Sequence, residues 1–207
     1  MVCKILEVDV LMGNKIKENK KRFFYPDEFV KVLGHLNKNQ KFTATCQINM
    51  GTRINEARNI EARDLSAKRE TIVIRETKVK AKLGQRTPEP RTIKVSSTFF
   101  KYIKKNISTH RILSTNAFNI GLREACVKAK VDKPEQFSSH NLRKTFATWM
   151  LSLGADGFKL AQYLDHSPAV LMKDYATNDC FNVDDKRLMI QILGNLPKKL
   201  INREVML

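Results

Sequence analysis

Cysteine is sparse in this chain of 207 residues, and Cys3, Cys46, Cys126 and Cys180 stand far apart with no C-x-x-C pair. That spacing excludes a disulfide framework and a thiolate zinc site, and fits incidental thiols of a reducing compartment. Long hydrophobic runs are missing too: no apolar stretch approaches the ~18 residues of a membrane-spanning helix. The opening "MVCKILEVDVLMGNK" breaks its apolar residues with Lys4, Glu7 and Asp9, which does not fit a signal peptide. An intracellular protein, cytoplasmic or inside a host cell, is expected. Metal-ligand clusters, a glycine-rich phosphate loop and a Ser-His-Asp spacing are also lacking, so no cofactor or metal is expected.

Acidic residues are in deficit. Asp and Glu number 21 against 38 Lys and Arg, a formal net charge of +17. In a chain with 42% hydrophobic residues, enough for a sizeable core, such a surplus points to a polyanionic partner. Each neutralised phosphate releases condensed counterions, which makes nucleic acid the favoured partner. No basic amphipathic helix long enough for an anionic membrane stands out.

Periodicity gives a mainly α-helical domain with a small antiparallel β-hairpin, an α+β fold. Residues 1–24 end in "KIKENKKR" and read as a basic arm or linker. Pro26, Asp27 and Glu28 signal a helix start. A second helix is expected over about 40–50, ended by Gly51, with Thr52 capping a third through "RINEARNI". "TIVIRET" and "RTIKV" read as two strands joined by a long basic tip. Helical patterns follow: "STFFKYIKKNI", then one capped by Ser114 or Thr115, then one opened by Ser138 and Ser139 and stopped by Gly154. "GFKLAQYL", a helix begun by Ser167-Pro168 and running to Tyr175, and "DDKRLMIQILGNL" complete the series.

His140 and Arg143 sit three apart, hence on one helix face. Alone, that pair reads as solvated or capping. It gains meaning beside "GTRINEARNIEARDL", with Arg53 and Glu56, and "LDHSPAVLMKDYA", with His166 and Tyr175. Between them lies the hairpin with Lys78, Lys80 and Lys82.

These three blocks, in this order, resemble the catalytic domain of the tyrosine recombinases, the phage-integrase family. The first resembles its T-G-x-R-x-x-E-x-x-x-L box, the second, "SHNLRKTFAT", its H-x-L-R box, and the third its L-G-H…Y box. The resemblance covers about residues 25–185, leaving 186–207 as a C-terminal helix or tail that folds back or passes to a neighbour. Two positions depart from the pattern: Asp165 replaces the usual glycine, and Asn141 replaces a common aspartate. Too few residues precede Pro26 for the family's N-terminal core-binding domain, so an excised catalytic domain or a minimal recombinase is expected.

The resemblance implies site-specific DNA cutting and rejoining through a 3′-phosphotyrosine, without metal or ATP. Arg53 and Arg143 would clamp the phosphate, helped by His166, because a guanidinium fork donates two hydrogen bonds and stays charged. Tyr175 would be the nucleophile. Lys78, preferred over Lys80 and Lys82 by its distance from Arg53, would protonate the leaving 5′-oxygen. His140 would assist proton removal or hold the phosphate, and Glu56 would orient a neighbouring base. Lys80, Lys82, Arg86 and Lys144 are expected on the DNA backbone. Double-stranded DNA and a homotetramer on two duplexes are the expected partners, with no membrane. Type IB topoisomerase-like nicking and a silent DNA-binding module are the alternatives.

Overall fold

Pro26 at the first helical position and Glu28, whose carboxylate accepts the Tyr25 N–H at 3.1 Å, start helix α1 (Pro26–His35). The computed structural model describes residues 22–75, 90–111, 113–175 and 180–201. Helices α2 (Lys38–Met50) and α3 (Ile54–Arg58) follow, then the strands β1 (Leu65–Ser66), β2 (Thr71–Ile74) and β3 (Arg91–Lys94). The rest is helical: α4 (Ser97–Asn106), α5 (Thr115–Lys128), α6 (Ser139–Ser152), α7 (Gly157–Leu164), α8 (Pro168–Tyr175), α9 (Val183–Leu193) and α10 (Leu196–Ile201).

The three strands form one antiparallel sheet in the order β1-β2-β3, with Ile72 opposite Ile93 and Ile74 opposite Arg91. Strand periodicity puts Ile72, Ile74, Ile93 and Val95 on one face, where they are buried against Phe99, Phe100 and Ile103 of α4. The long basic tip, with Lys78, Lys80, Lys82 and Arg86, lies outside the described residues.

From Phe42 to Met50 helix α2 is buried except at half-buried Thr45, and that fixes its position. Phe42, Cys46 and Met50 pack into the core under the sheet, while Ala44 and Ile48 pack into the larger helical core of α1, α5, α6 and α9. The buried part of α2 thus separates two apolar clusters. Helix α6 is similar: every residue from Asn141 to Met150 is buried.

The expected arm ends earlier than residue 24. Phe24 is fully buried, its N–H donates to Thr145 Oγ1 at 2.9 Å, and its carbonyl accepts Trp149 Nε1–H at 3.0 Å. Asn141 Nδ2–H donates to the Arg22 carbonyl at 2.7 Å. The domain therefore includes Arg22–Phe24, and the expected boundary at 25 moves back. At the other end α9 packs on its own chain through Met189 and Leu193, both fully buried.

Candidate active site

The corner begins at Gly51, in the left-handed region at φ 61, where α2 stops. A Cβ there would overlap the Phe146 ring and Leu164, so only glycine lets the chain turn this close to α6. The expected Thr52 cap is corrected by the structure. Arg53 is the N-cap of α3, its N–H donates to Glu56 Oε2 at 2.9 Å, and the buried Thr52 hydroxyl makes no hydrogen bond. A threonine fully buried one residue too early cannot reach the helix's free N–H groups.

Arg143 reaches this corner from the first turn of α6. It is 1% exposed. Its Nη1 donates to the Gly51 carbonyl at 2.8 Å, and its Nη2 donates to the Leu164 carbonyl and to His166 Nε2, the last at 2.9 Å. One guanidinium thus ties α2, α6 and the α7–α8 turn together. Arginine only donates, so Nε2 of His166 must accept and the ring carries its proton on Nδ1. Burial first, and then the charges of Arg143 and Arg53, hold the His166 pKa down to about 4 against Asp165; His140 acts in the same direction. His166 is therefore a neutral imidazole at pH 7, offering Nδ1–H as its donor.

Arg53 stands nearer the solvent, its side chain 46% exposed. Nη1 meets buried Glu56 Oε1 at 2.8 Å and exposed Asp165 Oδ2 at 3.4 Å. Glu56 is the buried hub of the corner. It accepts a two-pronged pair from Arg91, at 3.1 and 2.9 Å, and lies 3.9 Å from Arg143 Nη1. Burial favours the neutral acid, yet the Arg91 and Arg53 hydrogen bonds outweigh it and hold the Glu56 pKa down to about 2. What Glu56 orients is a set of arginines, not a base.

The structure thus brings together Arg53, Glu56, Arg143 and His166. His140 is exposed at the start of α6. Tyr175 closes α8, whose start is fixed as expected by Ser167 Oγ accepting the Val170 N–H at 3.3 Å, with Pro168 at the first helical position. Lys144 lies at 7% exposure within the buried stretch of α6 from Asn141 to Met150. Arg91 was missed by sequence reasoning, although a signal existed: it alternates in phase with Ile93 and Val95, and an arginine on the covered face of a strand needs a buried anion.

A family model described as "Phage integrase family" matches residues 22–180. This chain belongs to the phage integrase family. Its fold is shared with XerA recombinase, at 20% identity over 86% of this chain and 66% of that one, TM-score 0.60. It is shared equally with the catalytic domain of bacteriophage HP1 integrase, at 16% identity over 89% of this chain and 95% of that one, TM-score 0.56. The Tn1549 transposon integrase in complex with transposon right end DNA aligns at 16% identity over 84% of this chain and 66% of its own, TM-score 0.58. This integrase-family chain therefore spans about two thirds of the XerA and Tn1549 chains and nearly all of the HP1 domain. No curated protein matches the sequence.

Proposed function

We propose that this protein is a site-specific DNA recombinase that cuts and rejoins strands through Tyr175. The observation that carries the reading is the convergence of Arg143, Arg53 and neutral His166 on one corner, beside the turn that leads into the tyrosine's helix. The surplus of 38 basic over 21 acidic residues suits DNA, and a structurally similar integrase is seen bound to transposon end DNA.

The chemistry is a phosphoryl transfer that conserves bond energy. The Tyr175 oxygen attacks the scissile phosphorus as the P–O5′ bond breaks, leaving a 3′-phosphotyrosine and a 5′-hydroxyl. Charge grows on the non-bridging oxygens. Arg143 is held by two backbone carbonyls before DNA arrives, so its donors need no reorganisation at the moment of reaction. Arg53 and His166 Nδ1–H add donors. Lys78 gives the 5′-oxygen its proton, and His140 assists loss of the phenolic proton. Lys80, Lys82 and Arg86 grip the backbone. Water and metal have no part in the step, and attack by the 5′-hydroxyl reverses it. Four copies on two duplexes exchange strands. Action on DNA places the protein inside a cell; among the described residues no helix is long and apolar enough to cross a membrane.

The test is a denaturing gel for covalent protein–DNA adduct on supercoiled and pre-nicked DNA in EDTA. Wild type should form the adduct and Tyr175→Phe should not. An adduct that survives the substitution, or a requirement for Mg²⁺, overturns the mechanism. Joined Holliday-junction products separate recombination from simple relaxation.

A further inference from the structure

The α7–α8 turn carries an anion where the family motif has a glycine, at Asp165. The backbone keeps the conformation that suits glycine, with φ 55 and ψ 54, in a left-handed region that aspartate visits only occasionally. The turn thus carries a carboxylate on a backbone that suits glycine. That carboxylate meets Arg53 Nη1 at 3.4 Å and is 56% exposed. Glu56 meets the same nitrogen from the protein interior, at 2.8 Å and 6% exposure. The two carboxylates differ in what they leave open. Glu56 holds the guanidinium from a buried position. Asp165 meets it from an exposed one, open to a phosphate arriving from solvent.

We infer that Asp165 is an anionic place-holder on the Arg53 fork, displaced by the scissile phosphate when DNA docks. The inference rests on the recombinase reading of this corner. A phosphate oxygen and the Asp165 carboxylate want the same donor and repel each other, so both cannot occupy it. The clamp consequently binds an isolated phosphate weakly, and cleavage depends on the remainder of the DNA interface to supply the displacement. Asp165 is a positioning residue: it acts through Arg53 and takes no part in bond making. An exposed pair of this length has a small effect, about five-fold in phosphate affinity.

The experiment compares the full chain with D165N and D165G, alone and on an R53Q background, using inorganic phosphate followed by thermal shift. Adduct formation on pre-nicked DNA is measured in parallel. D165N and D165G should both bind phosphate about five-fold more tightly, and the gain should vanish with R53Q. The nicked-DNA concentration giving half the maximal adduct rate should fall, with the saturated rate nearly unchanged. That split separates competition for the fork from a change in turn stability, which D165G alone would relieve. Unchanged phosphate affinity in D165N, or a gain of full size on R53Q, overturns the inference. Adduct in wild type without that gain defeats the place-holder alone. The gain without adduct in any variant supports it and defeats the recombinase reading.

Discussion

Replacing Glu56 with glutamine removes one charge and almost no volume, and it tests the hub directly. The carboxylate is 6% exposed and pairs with Arg91 and Arg53, with Arg143 at 3.9 Å. A carboxyl that ordinarily titrates at 4.5 and here at about 2 carries about 3 kcal/mol of stability at neutral pH. Removing one partner of a buried pair costs about 3–5 kcal/mol, which agrees. The sign follows from the depressed value. The unfolded chain takes up the proton first as pH falls, so this contribution is complete above about 4.5 and is lost on the way to about 2. Urea denaturation of wild type and E56Q should differ by about 3 kcal/mol at pH 7, and by roughly 2 kcal/mol less at pH 3. On R91Q, the further loss from E56Q should be well below its loss in the wild type, because both changes delete one pair. A difference that stays the same from pH 7 to pH 3 would refute the assignment of Glu56 as the ionised hub.

Other substitutions probe the surrounding geometry. Gly51→Ala forces a Cβ into Phe146 and Leu164 at a positive φ, and should cost about 3 kcal/mol in denaturation along with adduct formation. Asn141→Asp places a carboxylate oxygen against the Arg22 carbonyl in place of an N–H donor, and should lower stability by about 1–3 kcal/mol at pH 7. For His166, whose pKa is held down to about 4, the unfolded state protonates first. Wild-type stability should therefore decline as pH falls from about 6.5 towards 4, and H166Q should lack that limb in a pH series of melts. Lys78→Ala should depress cleavage of ordinary DNA by about 10²–10⁴-fold, yet cut a substrate with sulfur at the leaving 5′ position at close to the wild-type rate, since a thiolate departs without a proton. K80A and K82A should show no such rescue.

Much of the corner was legible because the family boxes are local. Arg53 and Glu56 share one turn, as do His140 and Arg143, and the spacing within each box survives translation into helix geometry. Arg91 was harder to read because its partner lies 35 residues away in sequence and meets it only through sheet and helix packing. Lys144 shows the opposite difficulty: a lysine in a helix is ordinarily solvated, and nothing local reveals that α6 is buried from Asn141 to Met150. Thr52 looked like a cap since threonine favours that position, but the carboxylate of Glu56 had already closed the turn. Phe23 and Phe24, beside a run of lysines, read as linker, although their aromatic rings belong to the core and its margin.

The double burial of α2 has a mechanical consequence. Neither apolar cluster can loosen without stripping a face from this helix, so the amides of α2 should exchange with solvent only when the whole domain opens. Gly51, which carries the carbonyl gripping Arg143, caps that same helix. The clamp is thus built into the slowest-opening part of the molecule, and heat should abolish cutting and folding at one temperature instead of two.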